Sequence, residues 1–145
     1  MRNKKGFTLI ELLVVIAIIG LLATLSVVAL NNARQKSRDA KRVSDIKQIQ
    51  TALELYYVDN NAYPIEASAV NLGETGQTTL SSDNDWSDTA AGTTYMGQVP
   101  DDPQDSGTYA YTSADGTTYS IVFTLEGDTG GLDAGGRTAS PDGIQ

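Results

Sequence analysis

The sequence of 145 residues contains no cysteine and no histidine, and only one residue between positions 54 and 145 is basic. Without cysteine, the chain forms neither disulfides nor thiolate metal sites. Without histidine, it lacks the commonest general base and zinc ligand. The many Asp residues are scattered, which is typical of a solvated surface rather than of two-carboxylate catalysis. We therefore expect a protein that is not an enzyme.

Charge is distributed unevenly along the chain, although the net charge is −8. Residues 1–53 hold nine Lys or Arg and three Asp or Glu, a local net charge of +6. Residues 54–145 hold one Arg and fifteen Asp or Glu, a local net charge of −14. An acidic surface repels nucleic acid, so we expect no direct binding of nucleic acid.

The segment 7–30 is an apolar run in which every residue is apolar or small except Glu11. As an α-helix it would be about 36 Å long, which is enough to cross a bilayer core of about 30 Å. Arg2, Lys4 and Lys5 precede it and indicate a cytoplasmic N-terminus, with the acidic part outside the cytoplasm. A secretory signal peptide does not fit, because the run is too long and lacks an A-x-A-like cleavage site.

Glu11 is costly within a membrane span, by about 2.5–3.5 kcal/mol on insertion scales. One interpretation places it near the headgroups, where it reaches water or takes up a proton. The other pairs it with a cation of another molecule. Cleavage after Gly6 would create an α-amino group on Phe7, four residues from Glu11 on the same helix face and available to a neighbouring copy.

The motif KKGFTLIE at residues 4–11 resembles the class III signal sequence of type IV pilins and pseudopilins. The resemblance implies that a prepilin peptidase cuts between Gly6 and Phe7 and then methylates the new amino terminus of Phe7. It also implies that Glu11 acts in docking one subunit onto another during assembly.

An amphipathic helix is predicted to continue the apolar run over residues 31–59, because no Pro or Gly follows before Pro64. The apolar face of this half needs a cover from the downstream domain, and it comprises Val43, Ile46, Ile49, Leu53 and Tyr56. A charged collar precedes it, comprising Arg34, Lys36, Arg38, Asp39, Lys41 and Arg42. The collar is either a solvated face with interfacial anchors or a surface that meets acidic groups of neighbouring subunits.

The segment 45–56, followed by Asp59-Asn60 and Tyr63-Pro64, is similar to the end of the helix in the major pseudopilin of type II secretion systems. The resemblance implies a structural subunit of a type IV pilus-like filament, a homopolymer of this chain. Implied partners are prepilin peptidase, an inner-membrane assembly platform, an assembly ATPase and minor pilins. The single-pass precursor would contact lipid in the cytoplasmic (inner) membrane before joining a periplasmic or cell-surface filament.

Two alternatives stay open at this point. One is a type IV pilin for adhesion, motility or DNA uptake, and the other is a membrane-anchored domain that does not polymerise. In each case the predicted organisation is the same. It consists of a leader peptide at 1–6, a transmembrane and polymerisation half of the helix at 7–30, an amphipathic half at 31–59 and a soluble head at 60–145.

The head is predicted to contain an antiparallel β-hairpin. Segments 108–112 and 118–126 alternate in polarity and flank Asp115-Gly116, a strong hairpin signal. One face of the second strand should lie on the helix, and it comprises Tyr119, Ile121, Phe123 and Leu125. Residues 65–97 are predicted as an irregular connection with a short helix or strand, anchored by Val70, Leu72, Leu80, Trp86, Tyr95 and Met96. The expected fold class is α+β, with a long N-terminal helix packed against a small antiparallel sheet.

The tail 127–145 is rich in Gly and Asp and is predicted as a loop, either flexible or cation-binding. In the pseudopilin family the matching loop binds calcium, so the resemblance implies a Ca²⁺ site involving Asp128 and Asp133. Calcium takes 6–8 oxygen ligands, and the segment has no EF-hand spacing. We expect no required cofactor. A second acidic cluster precedes the hairpin, at Asp101, Asp102 and Asp105.

Overall fold

The computed structural model describes residues 6–145. The predicted leader therefore lies outside the described residues, except for Gly6. A single helix, α1, runs from Leu9 to Asn60, in agreement with the uninterrupted pattern of the sequence. The chain divides into two compact units, residues 1–35 and 36–145, and α1 contributes to both.

The N-terminal unit is an exposed apolar helix. All its side chains from Leu9 to Arg34 are exposed, including large ones such as Ile16, Leu21 and Val28. Among the described residues, α1 is the one helix long and apolar enough to cross a membrane by length and composition. An apolar surface of this extent needs lipid or protein around it.

Eight β-strands follow the helix in the head unit. They are β1 Glu66–Leu72, β2 Thr79–Ser81, β3 Asp85–Ser87, β4 Thr94–Met96, β5 Tyr109–Ser113, β6 Ser120–Leu125, β7 Gly135–Ser140 and β8 Gly143–Ile144. Five of them form an antiparallel sheet in the order β1-β5-β6-β7-β8, and a smaller sheet has the order β3-β2-β4. The predicted α+β fold with a small antiparallel sheet is confirmed.

The predicted hairpin is present as β5 and β6, with Tyr111 opposite Ile121 and Ala110 opposite Val122. Residues 114–119 join the two strands and include the predicted Asp115-Gly116, so β6 begins two residues later than predicted. Gly116 has a φ of 74°, and a Cβ there would lie 3.0 Å from the carbonyl oxygen of Tyr63. The amide of Tyr63 in turn donates to the carbonyl of Gly116 at 2.8 Å, which ties the hairpin turn to the chain leaving the helix.

One hydrophobic core joins α1 to both sheets. The helix contributes Ile46, Ile49, Ala52, Leu53 and Tyr56, which recur every three or four residues as predicted. The buried face of β6 is also the predicted one. Its core residues are Ile121, Phe123 and Leu125, with Tyr119 just before the strand. Burial of this shared face, at about 25 cal/mol per Å² of apolar area, is what holds the helix to the sheet.

The helix ends where turn-favouring residues follow it. Asn61 adopts a φ of 56°, and its amide donates to the carbonyl of Tyr57 at 2.7 Å. Asparagine tolerates this left-handed conformation better than most residues, so it serves as a C-terminal cap. The predicted stop near Asp59 to Asn61 is confirmed.

Two segments are more ordered than the sequence predicted. Residues 65–97 are not an irregular connection, because they form β1 and the whole of the smaller sheet. Their predicted anchors are nonetheless in the core, with Leu72, Leu80 and Trp86 buried. The tail is likewise not a plain loop, since β7 and β8 extend the main sheet.

Candidate functional site

The start of α1 brings together the residues predicted for processing and assembly. Gly6 and Phe7 precede the helix and are exposed. Thr8 occupies the N-cap position, and its amide and hydroxyl donate to Oε2 of Glu11 at 2.8 and 2.6 Å. The amide of Glu11 donates back to the Thr8 hydroxyl at 3.3 Å. This reciprocal arrangement is a capping box, which satisfies amide groups that a helix start leaves unpaired.

The capping box gives Glu11 a role that was not predicted, although the T-x-x-E spacing at residues 8–11 is its usual sequence signal. It engages only one of the two carboxylate oxygens of Glu11. Within residues 6–145, no hydrogen bond reaches the other oxygen, Oε1. Glu11 can therefore cap its own helix and still accept from a second donor.

A buried ion cluster lies in the head unit, where the collar was predicted to be solvated or to face a neighbouring subunit. Arg42 is 2% exposed, and Asp39 and Asp102 are also buried. Nε and Nη2 of Arg42 donate to the two carboxylate oxygens of Asp102 at 2.8 and 2.9 Å. Such a bidentate fork is the strongest common geometry for an arginine–carboxylate pair.

The remaining donors of Arg42 are also used. Nη1 donates to Asp39 and to Glu126, both at 2.7 Å, and Nη2 donates to Gln104 at 2.7 Å. All five N–H groups of the guanidinium are thus satisfied by protein acceptors. The cation has no donor left for a ligand, so the cluster is a structural link between helix and sheet.

Asp39 extends this link to the backbone after β6. Its carboxylate accepts from the amides of Glu126 and Gly127 at 3.0 and 2.9 Å. Asp102 depends in turn on a close approach to Gly107, where an added Cβ would lie 2.2 Å from the carboxylate carbon. A side chain at position 107 would therefore displace Asp102 from Arg42.

The prediction for the collar was wrong for three of its members. Asp39 and Arg42 are buried in their own head, and Arg38 donates to Glu126 of the same head, whereas Arg34, Lys36 and Lys41 are exposed. The physical reason is helical spacing. Asp39 and Arg42 continue the three-and-four pattern of Ile46 and Ile49 toward the N-terminus, so they lie on the buried face. This spacing is the signal in the sequence from which the burial of Asp39 and Arg42 could have been predicted.

Glu126 is the titratable acceptor at the edge of the cluster, with a side chain that is 26% exposed. Hydrogen bonds from Arg38, and then from Arg42, lower the pKa of Glu126 to about 2. Because an unfolded Glu titrates near 4.3, the stabilisation from ionised Glu126 is complete above about pH 5. It is lost as the pH falls toward 2.

Acid is therefore expected to weaken the wild-type head more than a Glu126→Gln variant. The expected difference between pH 6 and pH 2.5 is roughly 1–2 kcal/mol, because solvent screens a partly exposed ion pair. Urea unfolding of both proteins at both pH values, followed by Trp86 fluorescence, measures it. Burial raises the pKa of Asp45, so its protonation acts in the opposite direction in both proteins and cancels. Equal losses in the two proteins would show that Glu126 carries no such stabilisation.

The predicted calcium residues lie in the turn between β6 and β7. Oδ1 of Asp128 accepts from the amide of Ala134 at 2.9 Å, and the carbonyl of Asp133 accepts from Nε of Arg137 at 2.9 Å. In the described part of the chain, no group of three or more His, Cys, Asp or Glu side chains is placed to hold a metal ion. The carbonyl of Asp133, an oxygen of a type that calcium binds, therefore already accepts from a guanidinium.

Two family models match the sequence. The prokaryotic N-terminal methylation motif matches residues 1–27. The model for type II secretion system (T2SS), protein G, matches residues 29–138. Together they cover the capping box at the start of α1 and nearly all of the head.

Curated relatives carry corresponding names. The type II secretion system core protein G of Aeromonas hydrophila is 48% identical over 63 residues, which are 43% of this chain and 44% of that protein. The protein of the same name from Escherichia coli K12 is 48% identical over 62 residues, 43% of each chain. The type IV wide pilus major component PilA4 of Thermus thermophilus is 43% identical over 74 residues, 50% of this chain and 56% of that protein. The chain thus spans less than half the length of the two secretion proteins, and no solved structure matches it significantly.

Proposed function

This chain belongs to the family of type II secretion system protein G, and we propose that it is a non-catalytic structural subunit of a pseudopilus. It polymerises through the N-terminal half of α1. The observation that carries the proposal is the exposed apolar helix with Glu11 as its one charged residue between positions 7 and 30. Monomeric soluble proteins rarely expose a contiguous apolar surface of this size.

Assembly is the transfer of this helix from lipid into a bundle of like helices. Lipid tails are as apolar as the helix, so the hydrophobic effect contributes little to the transfer. Packing and polar pairing therefore set the specificity of assembly. A buried charge without a partner is costly in either environment, which makes Glu11 the residue that selects a position for the incoming subunit.

The partner proposed for Glu11 is the α-amino group of Phe7 in a neighbouring subunit. Cleavage between Gly6 and Phe7 creates this cation, and methylation of Phe7 keeps it basic. The capping box supports the pairing, because it engages Oε2 of Glu11 and leaves Oε1 available. A subunit at a wrong height would leave an amine and a carboxylate unpaired in apolar surroundings.

The proposed sequence of partners rests on what the family resemblance implies. The precursor lies in the cytoplasmic membrane, with lipid around residues 7–30 and the acidic head outside the cytoplasm. Prepilin peptidase processes it, and a membrane platform with an ATPase drives its insertion into the filament beside minor subunits. The product is a periplasmic pseudopilus that serves protein secretion.

A second candidate is a subunit of a type IV pilus on the cell surface. The match to the Thermus thermophilus wide pilus component favours it, because that match covers more of this chain than those to the two secretion proteins. The neighbouring genes distinguish the two functions. A secretin with a secretion ATPase supports the pseudopilus, and a retraction ATPase supports the pilus.

Replacing Gly6 by leucine is expected to block cleavage and, with it, assembly. The bulky side chain occupies the position before the cut, so the cleavage rate should fall by roughly tenfold or more, which corresponds to ~1.4 kcal/mol or more on the barrier. Intact mass and negative-stain microscopy measure both effects. Gly20→Leu is the matched control for cleavage, because it adds the same side chain away from the cleavage site. Normal cleavage of the Gly6 variant, or filaments of uncleaved chains, would contradict the proposal.

A further inference from the structure

The turn between β6 and β7 is closed by protein contacts alone. Thr129 and Leu132 exchange two backbone hydrogen bonds, of 2.9 and 3.0 Å. Gly130 and Gly131 between them have φ values of 63° and 84°, the positive values that a two-residue hairpin turn requires. Leu132 also packs against the core of the head. The tip of the turn is therefore held by its own backbone and by one apolar anchor.

Arg137 holds the base of the same turn. It lies on β7 opposite Phe123 and is the one basic residue among residues 54–145. Its Nε donates to the carbonyl of Asp133 at 2.9 Å, and its Nη2 lies 3.4 Å from the carbonyl of Ala134. A guanidinium that donates to two successive carbonyls supplies the positive charge and the directed contacts that a bound cation would supply.

The carboxylates of the turn have unequal roles in this arrangement. Asp128 closes the turn by accepting from the amide of Ala134 at 2.9 Å. Asp133 contributes its backbone carbonyl to Arg137, and its side chain is exposed. A calcium ion, by contrast, binds carboxylates and carbonyls together at 2.3–2.6 Å and would use both side chains. Two cations cannot share the Asp133 carbonyl without repulsion.

We propose that Arg137 takes the place of a metal ion in this turn, so that the head reaches its full stability without calcium. The inference concerns residues 127–140 and does not depend on polymerisation. It sets this chain apart from the calcium-binding loop that the pseudopilin resemblance implies.

Thermal unfolding of the purified full chain in detergent tests the proposal, with Trp86 fluorescence as the signal. The wild-type Tm should be the same in EGTA and in millimolar CaCl₂. Arg137→Gln should lower the Tm by roughly 2–8 °C, the range that a moderate destabilisation gives in domains of this order of size. Lys47→Gln is the matched control, because it removes an exposed charge from the helix, and its Tm should be unchanged.

Two aspartate variants separate an arginine-held turn from a calcium-held turn. Asp133→Ala should leave the Tm unchanged, because the backbone carbonyl remains, whereas Asp128→Ala should lower it. A calcium-held turn predicts that both variants lower the Tm in CaCl₂ and that EGTA lowers the wild-type Tm. Either a rise of the wild-type Tm with CaCl₂ or a large loss in Asp133→Ala would overturn the proposal.

Discussion

Arg42→Met is expected to destabilise the head by about 3–5 kcal/mol, the cost of removing one partner from a buried ion pair. The loss is large because the buried carboxylates of Asp39 and Asp102 keep their charge and lose the cation that compensates it. A domain with a typical stability of 5–15 kcal/mol would lose a substantial part of it. Urea unfolding of the full chain in detergent measures the change. Trp86, the only tryptophan, is buried and reports on the head.

Two further variants give this prediction its controls. Lys47→Met removes an exposed cation from the same helix and should change the stability by less than about 0.5 kcal/mol. Arg42→Met combined with Asp102→Leu should recover part of the loss, because replacing both partners by apolar groups costs less than stranding one. If Arg42→Met unfolds within about 1 kcal/mol of the wild type, the cluster contributes far less than its geometry indicates.

The helix and the hairpin were predictable because their signals are local. The apolar run indicates a long helix, and the spacing of Ile46, Ile49 and Leu53 indicates one buried face of that helix. Asp115-Gly116 between two alternating segments reports a hairpin. The smaller sheet was missed for the same reason, since three-residue strands such as Thr79–Ser81 are too short to show a period.

The ion cluster was missed because its partners are distant in sequence. Arg42 pairs with Asp102 and Glu126, which lie 60 and 84 positions away. The local signal is a charged residue on an apolar helix face, and this signal does not identify the residue with which it pairs. The turn that Arg137 contacts was missed for another reason. A Gly- and Asp-rich segment is typical of a flexible or cation-binding loop, and the sequence does not show that the Arg137 side chain donates to the carbonyl of Asp133.

The N-terminal segment was the most predictable part of the chain. The motif at residues 4–11 carried the resemblance, and the matching family models bear it out. The capping box adds a second role for Glu11, so loss of this residue removes both a helix cap and a charge. A test of the pairing with Phe7 must separate these two effects.

Glu11→Gln is expected to separate them. Glutamine can serve in a capping box, so the start of the helix and the cleavage after Gly6 should be intact. The charge that pairs with the Phe7 amine is lost, which leaves a buried amine unpaired at about 3–5 kcal/mol per contact. The equilibrium constant for subunit addition should then fall by roughly 100-fold or more. Glu11→Ala should show the same assembly defect, because it also lacks the charge.

The matched control for these variants is Thr24→Ala, within the same apolar helix. The hydroxyl of Thr24 donates to the carbonyl of Leu21, so its hydrogen bond is satisfied within its own helix, and its removal changes no charge. Thr24→Ala should build filaments in normal amounts.

The fraction of processed chain recovered in filaments from cells that make Glu11→Gln tests the pairing most directly. Intact mass shows whether the chain begins at a methylated Phe7, and microscopy of the sheared fraction shows whether filaments form. If Glu11 pairs with the Phe7 amine, the Glu11→Gln subunit is correctly processed, stays in the membrane and yields few or no filaments. Filaments of Glu11→Gln in wild-type amounts would show that no carboxylate–amine pair guides assembly.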